Sequence, residues 1–422
     1  MGRGGALIAA SVEIGRERIR AAQPDYLVLV GVAVLTVFGV LIVYSASFAF
    51  GTLEFNDGNY FVVRQAAYAV VGGVGMLLAM RMDYRHLRKF SLVLLVASMV
   101  LLLATHVPGL GVESNGARRW ISVGPLPPLQ PSEFVKLALI IYLADWLTSR
   151  GDDVRSFTLG VAPFTFVVGP VAALVMTQPD MGTMLILLAI TGTQLFVGGA
   201  SVRHVIALAG ATIFGALLLI TSGGYRTERL FAFLSPEEDA AGSGFHILQL
   251  LIALGSGGLT GVDWGESRQK FFYVPGAHTD GVFAILGEEL GFLGGMAVIV
   301  IFATVIFRGL RIADRARDPF GHLLAVGIVS WFGYQMLLNI GGITRSIPMT
   351  GVPLPFLSYG GSALIAAMTG AGLLLSVSRF GHNAPQRATS QTPKRGAASR
   401  AAGSRATSKR RASSAAWRPR TG

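Results

Sequence analysis

Residues 271–291 read FFYVPGAHTDGVFAILGEELG, with polar and ionisable side chains set directly into an apolar run of membrane-helix length. In hydrocarbon a charged side chain costs about 2.5–3.5 kcal/mol even on the most lenient scale, so Asp280 at a helix mouth with Glu288 and Glu289 further in marks a working site. At 100° per residue Glu288 returns to within about 80° of Asp280's face, two turns deeper, while Glu289 points the other way. Asp280 is therefore the carboxylate beside the mouth. A residue in that place serves equally as an N-cap for the helix that follows or as a general base.

The rest of the chain supplies the solvent for that helix. Of 422 residues 52% are hydrophobic and 14% charged, and the mean hydropathy is +0.57, which describes a polytopic membrane protein and excludes a soluble enzyme. The absence of Cys rules out disulfides and thiolate metal sites. The first 24 residues are rich in Arg and short of apolar length, so the first long apolar segment is expected to act as an uncleaved anchor.

Apolar runs long enough to span occur near 26–50, 61–80, 90–106, 133–149, 157–176, 183–199, 204–221, 281–307, 322–341 and 359–378. The expected fold is all-α and polytopic, with about ten transmembrane helices and a long extracytoplasmic loop between the seventh and eighth. Of the 35 Lys and Arg residues, 26 fall at the N-terminus, the even-numbered boundaries and the C-terminal tail, against seven in the opposite loops. By the positive-inside rule both termini are cytoplasmic. The net charge of +12 thus records topology and gives no reason to expect nucleic acid. The predicted organisation is a cytoplasmic segment 1–24, a membrane domain 25–380 and a disordered basic tail 381–422, either solvated or drawn to anionic lipid.

Two outer segments are too long for plain connectors. In 107–132, Asn115, Arg118, Arg119 and Trp120 suit a phosphate beside a lipid headgroup or, equally, a simple interfacial anchor. In 222–280, Phe245 to Leu259 is apolar enough for an interfacial or re-entrant helix, and Tyr225, Arg226, Glu228 and Arg229 bring further cations to the same side. Glu133 and Lys136 in QPSEFVK sit three residues apart on one helix face, as a structural ion pair or as part of a site. Asp180 reads as a helix cap. The run GSGGLTG at 255–261 lacks the phosphate-loop pattern and receives no nucleotide role. Lys270, His278 and Thr279 accompany Asp280, and Ser358 in GVPLPFLSYGGSAL offers a hydroxyl to substrate or caps the last helix. No residues have convincing metal-ligand spacing, which leaves the part of a divalent cation open.

The strings NGARRWI, QPSEFVKL, QPDMGT, SRQKFFYVPGAHTDGVFAILGEELG and GVPLPFLSYGGSAL, in this order across ten spans, closely resemble the SEDS family, whose members include FtsW, RodA and SpoVE. The resemblance covers about residues 25–380. GES followed by RQKFFYVP is more similar to the division branch, FtsW, than to the elongation branch. It implies a peptidoglycan glycosyltransferase that polymerises lipid II into a nascent glycan strand, beside a class B penicillin-binding protein and other division or elongation membrane proteins. It places the family's catalytic Asp on Asp280 and the Glu and Lys of its helix motif on Glu133 and Lys136. Two positions depart from the family pattern: Gly276 stands where Glu is usual and Gly281 where Phe is common.

The residues suffice for that chemistry. Glycan extension from a lipid diphosphate needs one base for the acceptor hydroxyl and cations for the leaving diphosphate. Asp280 supplies the first, and Arg118, Arg119, Lys136, Arg226, Arg229 or Lys270 the second. A single displacement inverts the anomeric centre without the paired carboxylates of glycosidases. A lipid flippase would also want ten spans but would carry charges toward both leaflets, and a non-catalytic scaffold for a transpeptidase would not need Asp280.

The topology is directly testable because the chain has no native Cys. Single Cys substitutions within 235–243 are expected to react with an impermeant thiol reagent from outside intact cells, and Ala313→Cys and Ser399→Cys only after the membrane is opened. Outside labelling of Ala313→Cys would overturn the ten-span arrangement.

Overall fold

The computed structural model describes residues 23–380 apart from 115, 123, 125, 126 and 222–224, and without the side chains of 114, 219, 220, 225 and 226. The tail expected at 381–422 and the N-terminal segment to residue 22 lie outside the described residues.

Every predicted span is a helix. They are α1 (Tyr26–Phe55), α2 (Tyr60–Arg81), α3 (Ser91–Ala104), α4 (Pro131–Arg150), α5 (Ala162–Met176), α6 (Met181–Val197), α7 (Val202–Thr221), α10 (Val282–Asp314), α11 (Pro319–Ile343) and α12 (Gly361–Phe380). Among the described residues seven of these, with α3 and α5 extended by their leading turns, are long and apolar enough to cross a membrane. Of the rest, α6 and the described part of α7 are apolar but shorter, and α4 carries Glu133, Lys136, Asp145 and Arg150. The chain is a multi-pass membrane protein.

Its outward faces are apolar. On α1, Leu27, Val30, Val34, Val37 and Leu41 are exposed, the expected pattern where lipid is the solvent. Inside, α12 has no exposed residue and packs closely along α2. A Cβ on Gly372 would lie 2.4 Å from the Met76 carbonyl, and one on Gly72 2.7 Å from Met368 Sδ, so small residues set this contact.

The connections between the spans add a hairpin and two further helices, one of them within the apolar stretch 245–259 where a helix is expected. In 107–132 the strands β1 (Gly111–Ser114) and β2 (Ala117–Ile121) pair antiparallel, with Val112 opposite Trp120 and Glu113 opposite Arg118; a positive φ of 71° at Gly116 suits the tight reversal between them. The long loop holds α8 (Tyr225–Leu234) and α9 (Phe245–Ser256). Arg345 seats α8 by donating to the Phe233 and Leu234 carbonyls at 3.0 and 2.9 Å, placing a cation at the negative end of that helix.

The bundle end that carries most of the basic helix boundaries is closed by ion pairs. Arg308 holds Asp25 at 2.6 Å, Arg85 holds Asp318 at 3.1 Å, and Arg88 holds Asp145 at 2.9 Å. Tyr84 donates to Asp318 as well, and Ser91 donates to Asp145 at 2.7 Å.

At the other end α10 is broken. Gly291 has φ 65° and ψ −167°, so the helix on either side is joined by a kink. The N–H groups of Phe292 and Leu293 donate instead to the carbonyls of Gly258 and Leu259 at 2.9 and 3.1 Å, and Val262 N–H donates to the Glu288 carbonyl at 3.0 Å. The glycines of GSGGLTG make this seam: a Cβ on Gly257 would lie 1.9 Å from the Gly287 carbonyl, and one on Gly261 2.0 Å from that of Glu289. Any side chain at Gly291 meets both a disallowed backbone and the Gly261 nitrogen 2.4 Å away. Gly291→Ala is therefore expected to cost at least about 1–3 kcal/mol, read as a lowered thermal midpoint of the purified protein. An unchanged midpoint would show the kink to be unstrained.

Candidate active site

The loop that leads into α10 is pinned by both glutamates of GEELG. Glu288 accepts from Ser267 Oγ at 2.5 Å and from the N–H groups of Arg268 and Gln269 at 3.1 and 3.3 Å. Glu289, on the opposite face, pairs with Lys270 at 3.0 Å and accepts from Ser45 Oγ at 2.5 Å. The Lys270 ammonium also donates to Ser45 and the Gly265 carbonyl. Lys270 is thus buried and neutralised by α10.

The pinned loop delivers Asp280 to the start of α10. Its carboxylate does not cap the helix: the N-cap residue is Gly281, with no side-chain bond. Asp280 Oδ1 instead accepts from Thr279 Oγ1 at 2.9 Å. A Cβ on Gly351, which has φ 69°, would lie 3.6 Å from Asp280 Oδ2 and 3.8 Å from Arg229 Nη1, so carboxylate and guanidinium border the same point. Arg229 Nη1 also donates to the Met349 carbonyl at 3.2 Å. Gly276 lies against the carboxylate too: with φ 66°, its Cβ would fall 2.4 Å from Asp280 Oδ1 and 2.8 Å from Thr279 Oγ1. The departure from the family pattern at 276 therefore sits in contact with the proposed base.

His246 of α9, which the sequence reading passed over, borders the same groups. Burial holds its imidazole below the ordinary pKa, with Asp280 pulling it up and Arg229 pushing it down. A single His in an apolar helix gave no pattern by which to find it. Asn339 of α11 was likewise missed; its Nδ2 donates to the Asp280 carbonyl at 2.9 Å and to the Val352 carbonyl at 2.8 Å.

The other predicted residues are distributed around this centre. Arg119 donates to the Gln178 and Pro179 carbonyls at 3.0 and 2.6 Å, tying the hairpin to the α5–α6 turn. The first turn of α6 abuts the 350–352 segment, since a Cβ on Gly182 would lie 2.5 Å from Val352 Cγ2 and 2.9 Å from the Thr350 carbonyl. Arg118 pairs with Glu113 at 3.2 Å on the exposed side of the hairpin, and Trp120 is half-buried in β2. Asp180 caps α6 through Thr183 N–H at 3.0 Å. Ser358 is buried, and its Oγ accepts from Leu354 N–H at 2.7 Å, closing a turn. Glu133 and Lys136 form an ion pair of 2.8 Å at 2% and 0% side-chain exposure. The side chain of Arg226 and residue Asn115 lie outside the described residues. Among the described residues no three His, Asp or Glu side chains gather as a metal site.

His278 is not a cation here. Its ring packs among Phe61, Phe50 and Tyr359 at centroid distances of 4.6, 5.6 and 5.6 Å. Burial pushes its pKa down from 6.5 to about 4, against the pull of Asp280. The unfolded chain then takes up the proton first, so stability falls as pH drops from about 6.5 toward about 4, by up to about 1.4 kcal/mol per pH unit. Thermal unfolding across that window is expected to show this slope, and His278→Phe to flatten it; an unaltered slope would place the titration elsewhere.

The chain is similar to known proteins along most of its length. The profile of the FtsW/RodA/SpoVE family, described as cell cycle proteins, matches residues 25–383. Stage V sporulation protein E of Bacillus subtilis is 42% identical over 361 residues, covering 86% of this chain and 98% of that protein. The probable peptidoglycan glycosyltransferase FtsW of Geobacter metallireducens is 40% identical over 354 residues, covering 84% and 94%. Among solved structures, a chain from a peptidoglycan synthase complex that coordinates polymerization and crosslinking superposes with a TM-score of 0.69 at 29% identity, over 84% of this chain and 97% of that one. The rod shape determining protein RodA of Thermus thermophilus does so with a TM-score of 0.63 at 28% identity, over 84% and 96%. With its helices, its loop and its sequence aligned along nearly the whole length of these proteins, the chain belongs to the FtsW/RodA/SpoVE family.

Proposed function

We propose that this chain is a peptidoglycan glycosyltransferase that polymerises lipid II at the outer face of the cytoplasmic membrane, with Asp280 as general base. The observation that carries the reading is the Asp280 carboxylate itself: it is not spent on capping α10, and together with the Arg229 guanidinium it borders the point beside Gly351. The acceptor sugar hydroxyl attacks the anomeric carbon of the lipid-linked donor and gives its proton to Asp280. The bond from that carbon to the diphosphate breaks, the electron pair leaves with the lipid diphosphate, and the anomeric centre inverts.

Arg229 is the cation best placed for the leaving charge. Lys136 and Lys270 are committed to buried ion pairs and Arg119 to backbone carbonyls, so their part is to hold the site's walls. The glycosyltransferase named among the relatives and the family membership support the same activity. Both termini are read as cytoplasmic from the basic residues at one end of the bundle. A class B penicillin-binding protein is the partner this reading implies, in line with the synthase complex in which a structural relative occurs.

Asp280→Asn keeps the side-chain shape and its contact with Thr279 but cannot take up a proton at neutral pH. Glycan formation from labelled lipid II by the purified variant is expected to fall by about 10²–10⁴-fold, with thermal stability retained. Polymerisation within a few-fold of the unaltered protein would remove Asp280 as base and favour a flippase or a scaffold.

A further inference from the structure

The bundle buries a second set of charges that the chemistry above does not use. Lys136 and Glu133 are 0% and 2% exposed, so neither reaches a substrate through the packed helices. Such a pair is rarely kept for stability alone, because apolar residues of similar size serve as well or better. Its contacts point elsewhere. Lys136 Nζ donates to Gln335 Oε1 at 2.9 Å, and the same oxygen accepts from Trp331 Nε1 at 2.6 Å. Two donors, one of them a cation, fix which end of the Gln335 amide faces α4. The other end, Nε2, then donates to the Pro353 carbonyl at 2.8 Å.

One turn along α11, Asn339 repeats the arrangement with the Val352 and Asp280 carbonyls. Two amides four residues apart thus grip successive carbonyls, Val352 and Pro353, of one extended segment, and the second amide also grips the backbone of Asp280. The segment has little freedom to adjust, since the residue before a proline is restricted to extended backbone. Its next residue toward the N-terminus is Gly351, the point bordered by Asp280 Oδ2 and Arg229.

We propose that Glu133 and Lys136 are positioning residues that act on Asp280 through Gln335, the Val352 and Pro353 carbonyls and Asn339, and do not bind the diphosphate. The proposal rests on the reading of Asp280 as the base. Glu133 places the Lys136 ammonium, the ammonium orients the Gln335 amide, and the two α11 amides hold the segment and the Asp280 backbone in register.

The test uses the full-length protein in lipid vesicles, with Asn339→Asp, Gln335→Leu and the charge-free pair Glu133→Gln with Lys136→Met. With labelled lipid II each is expected to lower kcat by about 10–100-fold at unchanged KM, the scale of a displaced catalytic group. Placed on top of Asp280→Asn, the same changes are expected to add no further loss. A raised KM with kcat retained, or a multiplicative loss on the Asp280→Asn background, would overturn the proposal in favour of direct substrate contact. A second measurement does not need activity: the pH midpoint of carbodiimide labelling at Asp280, followed by mass spectrometry, is expected to move in all three variants. An unmoved midpoint overturns the positioning role even if a variant is poorly active. Absence of polymerisation by the unaltered protein, with the midpoints moving as expected, would instead sink the glycosyltransferase reading and leave the network standing. If Gln335→Leu does not fold, Gln335→Glu, which keeps the shape and loses the donor to Pro353, gives the same readings.

Discussion

A helix interrupted in a membrane must find partners for the N–H groups it strands, and the break of α10 at Gly291 imposes that demand on everything around it. The carbonyls of Gly258 and Leu259 meet it, which is why the segment after α9 must press against α10 closely enough that glycines are needed at 257 and 261. Once that segment is fixed, Glu288 and Glu289 can reach from α10 to Ser267 and Lys270. The chain between them has no option but to return to the helix mouth with Asp280 leading. The loop is long, yet its course follows from a backbone requirement and two carboxylates.

The ten helices were legible because hydrocarbon tolerates little besides apolar runs of the right length, so composition alone locates them. The hairpin was not: Asn115-Gly116 is a recognised hairpin turn pair, but ARRWI, buried only at its two ends, lacks the alternation of a strand, and Arg and Trp at that depth fit an interfacial anchor equally well. The glycines of GSGGLTG serve as a seam only together with Gly291, thirty residues on, and no local pattern links them.

At the site, Asp280 stood out because a carboxylate in an apolar run is conspicuous. Lys270 did too, for the same reason and with less justification: charge can be seen in a sequence, whereas the partner that neutralises it, Glu289 with Ser45 from α1, is brought in by the fold. Gln335 and Asn339 were overlooked because amides carry no charge. Their spacing of one helical turn in an apolar span was visible and would have marked a polar stripe facing α4 and the 351–353 segment.

The paired charges at the opposite end of the bundle, Arg308 with Asp25, Arg85 with Asp318 and Arg88 with Asp145, have an electrical consequence. Between them and Asp280 lies a buried apolar layer that includes Leu139, Ile140, Phe332 and Leu374, each at most 1% exposed. Moving one charge through such a layer would be worth about 2.3 kcal/mol per 100 mV of membrane potential. A proton taken up at Asp280 and returned on the same side crosses none of it. Under the proposed chemistry glycan growth is therefore electrically silent, driven by the phosphate ester bond it breaks and indifferent to the voltage across the membrane in which it occurs.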